Sequence, residues 1–143
     1  LPSGMREAFV TSTAYKVLVV NIMSPANEAG QCTHNDYVRR FERQLGASDP
    51  FDLVIMADLA ALDQRRLRAA QRYYAMEHAY AVTYDTSAPG NCQLADVALI
   101  EGTYGRLRHC EQKLSQLFAA WVGTKSGDAT AHVRDADRQP GEL

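Results

Sequence analysis

The side chains best placed for chemistry are the polar residues that close apolar runs. Asn21, Asp58, Asp85 and Glu101 each stand within or just beyond the carboxyl end of a run rich in β-branched residues. In parallel sheets, functional groups gather outside such strand ends. Two carboxylates facing one cleft suffice for glycoside hydrolysis: one is held protonated to donate to the leaving oxygen, while the other attacks the sugar or activates water, at separations of roughly 5 to 9.5 Å. Neighbouring strands lie about 4.8 Å apart, so Asp58 and Glu101 converge if residues 80–84 (YAVTY) form a strand between theirs. Acids after strands also cap helices, and that plainer role competes at each position.

Other chemistries find less support. Neither GxxxxGK[ST] nor GxGxxG follows the first apolar run, so no nucleotide or dinucleotide cofactor is expected. Cys32, Cys92 and Cys110 are an odd number without CxxC spacing, which predicts reduced thiols in a cytoplasmic protein and no metal site. Cys32 and His34 alternate in a loop with no group to orient the base, which argues against a thiol nucleophile. A net charge of −2 speaks against nucleic-acid binding, and Arg65, Arg66, Arg68 and Arg72 read as a solvated helix face. No apolar run is long enough to span a bilayer, and the first residues lack a secretory signal's continuous apolar stretch.

The elements that must position these groups follow from periodicity. Residues 15–23 (YKVLVVNIM) are apolar almost throughout, as for an inner strand covered on both faces. A loop leads to Asn35 or Asp36 as helix cap, and Tyr37, Val38, Phe41 and Leu45 recur at helical spacing until Gly46. Residues 51–57 (FDLVIMA) form a second strand. A helix capped by Asp63 follows, with Leu67, Ala70 and Tyr74 inward. Residues 80–84 are a third strand, 85–90 a turn, and 95–101 (ADVALIE) a fourth, buried strand. A last helix carries Leu107, Cys110, Leu114, Leu117, Phe118 and Trp121. The 143 residues, 46% hydrophobic and 22% charged, suit one α/β domain over residues 15–123. It has a mainly parallel sheet of about four strands flanked by three helices. Residues 1–14 form an extension, and residues 124–143 read as a disordered tail.

The stretch from Asp52 through Tyr73-Tyr74, Pro89-Gly90 and residues 95–104 (ADVALIEGTY) resembles the spherulation-specific family 4 proteins. That family is similar to (β/α)-barrel glycoside hydrolases of galactosamine-containing polysaccharides. The resemblance implies a strand-end acidic site, matched here by Asp58 and Glu101; Asn21 and Asp85 at other strand ends, and Tyr104 after Glu101, are the candidate ligand contacts, although the turn that begins at Asp85 replaces the family's Asn-Pro-Gly. A complete barrel usually needs about 200 residues or more, so the implied fold is a partial barrel. Two readings follow: a small glycosidase-like protein acting on an amino-sugar polymer without a cofactor, or a noncatalytic module binding a carbohydrate, another small ligand or a protein. Open sheet edges would favour a homo-oligomer.

Overall fold

The computed structural model describes residues 4–24, 31–88, 90–102 and 105–136, with side chains described as far as Gly123. The chain divides into two compact units, Leu1–His109 and Cys110–Leu143. The first is an α/β domain. Its order is α1 (Met5–Thr11), β1 (Val17–Val19), β2 (Met23–Ser24), α2 (His34–Leu45), β3 (Leu53–Ala57), α3 (Gln64–Met76), β4 (Tyr80–Ala81), β5 (Cys92–Ala95), β6 (Ala98–Glu101) and β7 (Arg106–His109). The second unit contains α4 (Glu111–Ala136), whose helical backbone continues past Gly123 into the segment read as a tail.

The long apolar runs form the centre of the domain. β1, β3 and β5 make a parallel sheet in the order β1-β3-β5. Val54 and Ile55 on the middle strand are both fully buried. One face of the sheet packs Val20, Val54 and Met56 against Val38, Phe51 and Val82, with Phe9, Leu18 and Phe41 beside them. Phe51 meets Phe9 and Phe41 edge-on, with centroids 5.8 and 5.3 Å away. Each such fully buried side chain contributes about 1.5–3 kcal/mol relative to leaving it in water.

Three departures from the sequence reading change the architecture. Residues 80–84 do not enter the parallel sheet. Tyr80 and Ala81 pair antiparallel with Ser24 and Met23, while β3 pairs directly with β5. Residues 95–101 are not one strand: the Val97 N–H turns back to the Ala95 carbonyl at 2.8 Å, ending β5 and starting β6 in another direction. β6 pairs antiparallel with β7, so residues 106–109 are a strand and the last helix starts at Glu111. No closed barrel forms among the described residues.

The β6–β7 hairpin is tied to α3 at three points. Arg66 donates to the Ile100 carbonyl at 3.0 Å, and the Leu107 N–H donates to the Tyr74 hydroxyl at 3.2 Å. Gly105, with φ +70°, brings its backbone close to Ala70. Thus one of the four arginines read as solvated latches the hairpin.

Helix ends follow local chemistry. Asp63 caps α3 through the Arg66 N–H at 2.9 Å, and Gly46 ends α2 in the left-handed conformation that glycine adopts without steric cost. Beyond α3, His78 takes the same conformation with φ 55°, which a side chain disfavours by roughly 1–2 kcal/mol. Replacing the exposed His78 with glycine should therefore raise the unfolding free energy by about 1 kcal/mol. Urea denaturation measures this directly, and a variant less stable than the parent would contradict it.

Candidate functional site

Buried polar side chains are costly unless paired, and among the described residues Ser24, His34 and Asn35 are the polar residues that lie in the interior. All three border the segment 80–85. Ser24 faces Tyr80 in the β2–β4 backbone ladder, and its buried hydroxyl has no hydrogen-bond partner among the described residues. His34 donates its N–H to the Thr83 carbonyl at 3.0 Å, Thr83 donates to the Cys32 carbonyl at 3.0 Å, and Thr33 bridges Thr83 in parallel. Asn35 reaches Asp85.

α2 begins one turn into this arrangement. Thr33 and Asp36 form a capping box: the Thr33 hydroxyl accepts from the Asp36 N–H, and the Asp36 carboxylate accepts from the Thr33 N–H at 2.8 Å. The helix therefore starts at His34, earlier than a cap at Asn35 or Asp36 predicts. This start turns the His34 ring inward, where it is 2% exposed and stacks on Tyr84 at 5.0 Å and 17°. Its Nδ1 accepts the Asp85 N–H at 3.1 Å, which places the proton of the neutral ring on Nε2.

Asp85 completes the cluster. One carboxylate oxygen accepts from the Ser87 hydroxyl at 2.6 Å and the Ser87 N–H at 2.9 Å, and the other from the Asn35 amide at 3.4 Å. The Ser87 bonds, above all the hydroxyl, hold its carboxyl below the usual aspartate range, so it is ionised at neutral pH. Asp36 is likewise held low, by the Thr33 N–H and then its hydroxyl. A depressed carboxyl stabilises the fold above its unfolded-state pKa, and the contribution is lost as pH falls through the folded value. Asp36→Asn should therefore flatten the decline of stability below about pH 5, as read from urea titrations over that range. An unchanged decline would show that the box contributes nothing to acid sensitivity.

Beside the cluster runs a groove of about 440 Å³ lined by Gln31, Cys32, Thr33, Asp36, Tyr80, Ala81 and Thr83. Among the described lining residues, Asp36 is the only charged side chain. Across Tyr80 and Ala81 lies a second groove of about 420 Å³, lined also by Met23, Arg68 and Arg72. Among the described residues, no group of three or more His, Cys, Asp or Glu side chains is arranged to hold a metal ion. Cys32 is buried, and burial pushes the Cys92 thiol up, away from the reactive thiolate.

The other residues singled out from sequence lie elsewhere. Asp58 caps the 3₁₀ turn Leu59–Ala61 by accepting the Ala60 N–H at 2.9 Å. Glu101, at the end of β6, is exposed and paired with Arg108 at 3.2 Å. Neither lines the grooves above, and the intervening strand that would align them is not formed. Asn21 is exposed between β1 and β2, and Tyr104 lies outside the described residues. Of the named residues only Asp85 joins the buried polar cluster. His34 and Asn35 were missed as its partners, although the Thr33-x-x-Asp36 spacing signals the helix start that buries them.

No protein-family model matches the chain. A Nostoc sp. (strain PCC 7120 / SAG 25.82 / UTEX 2576) protein provisionally named a gluconeogenesis factor is 28% identical over 127 residues, covering 86% of this chain and 26% of the relative. Two structures of protein BH3568 from Bacillus halodurans, one described as a member of the UPF0052 family, match with a TM-score of 0.67. They are 22% and 23% identical, each over 80% of this chain and 36% of the solved chain. The fold is shared with BH3568. This chain thus spans about a quarter of the Nostoc relative and about a third of BH3568.

These likenesses overturn the resemblance to spherulation-specific family 4. With it falls the hydrolase-like reading as a glycosidase of amino-sugar polymers. The described part of the motif that suggested it, residues 95–102, is divided in space between a parallel strand and a separate antiparallel pair. No helix of the described residues is long and apolar enough to cross a membrane.

Proposed function

We propose that this chain is a small-molecule-binding part of a cytoplasmic protein related to the Nostoc gluconeogenesis factor, and that it acts by recognising a metabolite of carbon supply. The observation that carries this reading is the convergence of the buried His34 and Asn35 on ionised Asp85, next to an open groove. A domain keeps buried polar groups at a cost, and a site that must orient a ligand is a common reason to keep them. The described lining carries the Asp36 carboxylate and the Thr33, Tyr80 and Thr83 hydroxyls, so it favours an uncharged or cationic ligand bearing O–H or N–H donors. Phosphate would meet Asp36 without a compensating cation among the lining residues.

Two measurements test it. In ¹⁵N-labelled protein, a panel of monosaccharides and amino sugars, run beside their phosphates, should shift the amide signals of Thr33, His34, Asn35 and Asp85 for a member of the uncharged or cationic set. In the parent organism, deletion of the gene should impair growth on a gluconeogenic carbon source but not on glucose. The wild-type gene should restore growth, and Asp85→Ala should not. Signals that move only outside this cluster, or a deletion without carbon-source dependence, would overturn the reading.

A further inference from the structure

The basic face of α3 borders a groove that the His34 cluster does not use. Arg68 and Arg72 stand one helical turn apart on the same side of the helix, so their Cβ atoms lie about 5–6 Å from each other. Neither guanidinium is paired with a carboxylate among the described residues, and two like charges at this spacing repel. The groove they flank holds about 420 Å³, within the size range of small-ligand sites. Its remaining surface is largely apolar, with Met23 from β2, Ala75 from α3, and Ala79 and Ala81 at β4. No acid stands among its described lining residues. β4 thus separates two grooves of opposite character, one carrying Asp36 and the other two arginines.

That combination selects a ligand. A guanidinium donates two parallel hydrogen bonds to a carboxylate or a phosphate, and one anion between Arg68 and Arg72 removes their mutual repulsion. The apolar walls then discriminate by what the anion carries. A sugar or polyol would set its hydroxyls against Met23, Ala75 and Ala79 without partners, which is costly, whereas an aliphatic chain buries apolar area there at a gain. A carboxylate suits these walls better than a phosphate monoester, because a second charge raises the desolvation cost beside them. We propose that this groove binds an aliphatic carboxylate, its head between Arg68 and Arg72 and its chain along Met23, Ala75, Ala79 and Ala81. The inference rests on α3 and β4, not on the Asp85 cluster. Failure of ligand binding at that cluster leaves it standing.

The test titrates the ¹⁵N-labelled 143-residue chain with acetate, hexanoate and octanoate. Hexanoate should shift the amide signals of Gln71, Ala75, Ala79 and Ala81 and leave those of His34 and Asp85 in place. Octanoate should bind about threefold more tightly than hexanoate, and acetate far more weakly, because the chain supplies apolar burial. Methyl hexanoate, which lacks the charge, should bind about tenfold more weakly, and hexyl phosphate should also fall below hexanoate. Arg68→Gln and Arg72→Gln should each weaken hexanoate about tenfold, and Ala75→Leu, which fills the groove, should abolish binding. All three positions are exposed on α3, so the circular dichroism of these variants should match the parent. Absence of octanoate binding, unchanged affinity in both arginine variants, or hexyl phosphate binding more tightly than hexanoate would each overturn the proposal. So would shifts that instead follow the exposed apolar residues Met5, Val10 and Val122, the mark of nonspecific adsorption.

Discussion

His34→Ala is expected to lower the unfolding free energy by about 3 kcal/mol. The ring is buried against Tyr84, so truncation leaves a cavity that the start of α2 cannot readily close. The same change strips the Asp85 N–H of its acceptor, and an unsatisfied donor adds about 1–3 kcal/mol of its own. His34→Asn offers an oxygen near the position of Nδ1 and should recover about half the loss. Urea unfolding at neutral pH measures both variants. A loss below about 1 kcal/mol for the alanine variant would mean that water replaces the ring, and the cluster would then not be a closed polar core.

Gly105→Ala should cost about 2 kcal/mol. With φ at +70°, an added Cβ is disfavoured by the backbone alone, and it would stand 3.1 Å from the Ala70 Cβ. Ala70 is fully buried on α3, so neither side can yield without disturbing the helix. The double variant with Ala70→Gly separates the two contributions: it relieves the contact but not the backbone strain, apart from the helix penalty of glycine, about 1 kcal/mol. Comparison with Ala70→Gly alone isolates the contact through a double-mutant cycle. A coupling energy of zero would show that the hairpin shifts freely on α3.

The parallel frame was legible because its signals are local. The Asp63 cap and the Gly46 stop act within a few residues and are found where the sequence places them, and the run 51–57 holds β3; the run 15–23, read as one inner strand, instead divides into β1, at the end of the parallel sheet, and the antiparallel β2. The failures share a different cause. Residues 95–101 are apolar enough to read as one strand, but periodicity does not register the turn at Asp96 and Val97 that sends them into two ladders. Leu107 stands at helical spacing from Cys110 and Leu114, yet the alternation of Arg106, Leu107 and Arg108 is equally a strand with one face buried, as the structure has it. At the candidate site Asp85 was visible as a strand-end acid. Its partnership with His34 was not, because that bond spans 51 positions and no spacing rule reaches so far.

That separation also governs the order in which the molecule gains structure. Caps and helices need only neighbouring residues, whereas the contacts of Thr83 and Asp85 with 32–35 close a loop of about 50 residues and bear its entropy before any bond rewards it. The polar cluster should therefore be late to form, with low φ-values. Substitutions in it then act mainly by hastening unfolding, and a bound ligand that tightens the cluster lengthens the lifetime of the folded state without making the chain fold faster.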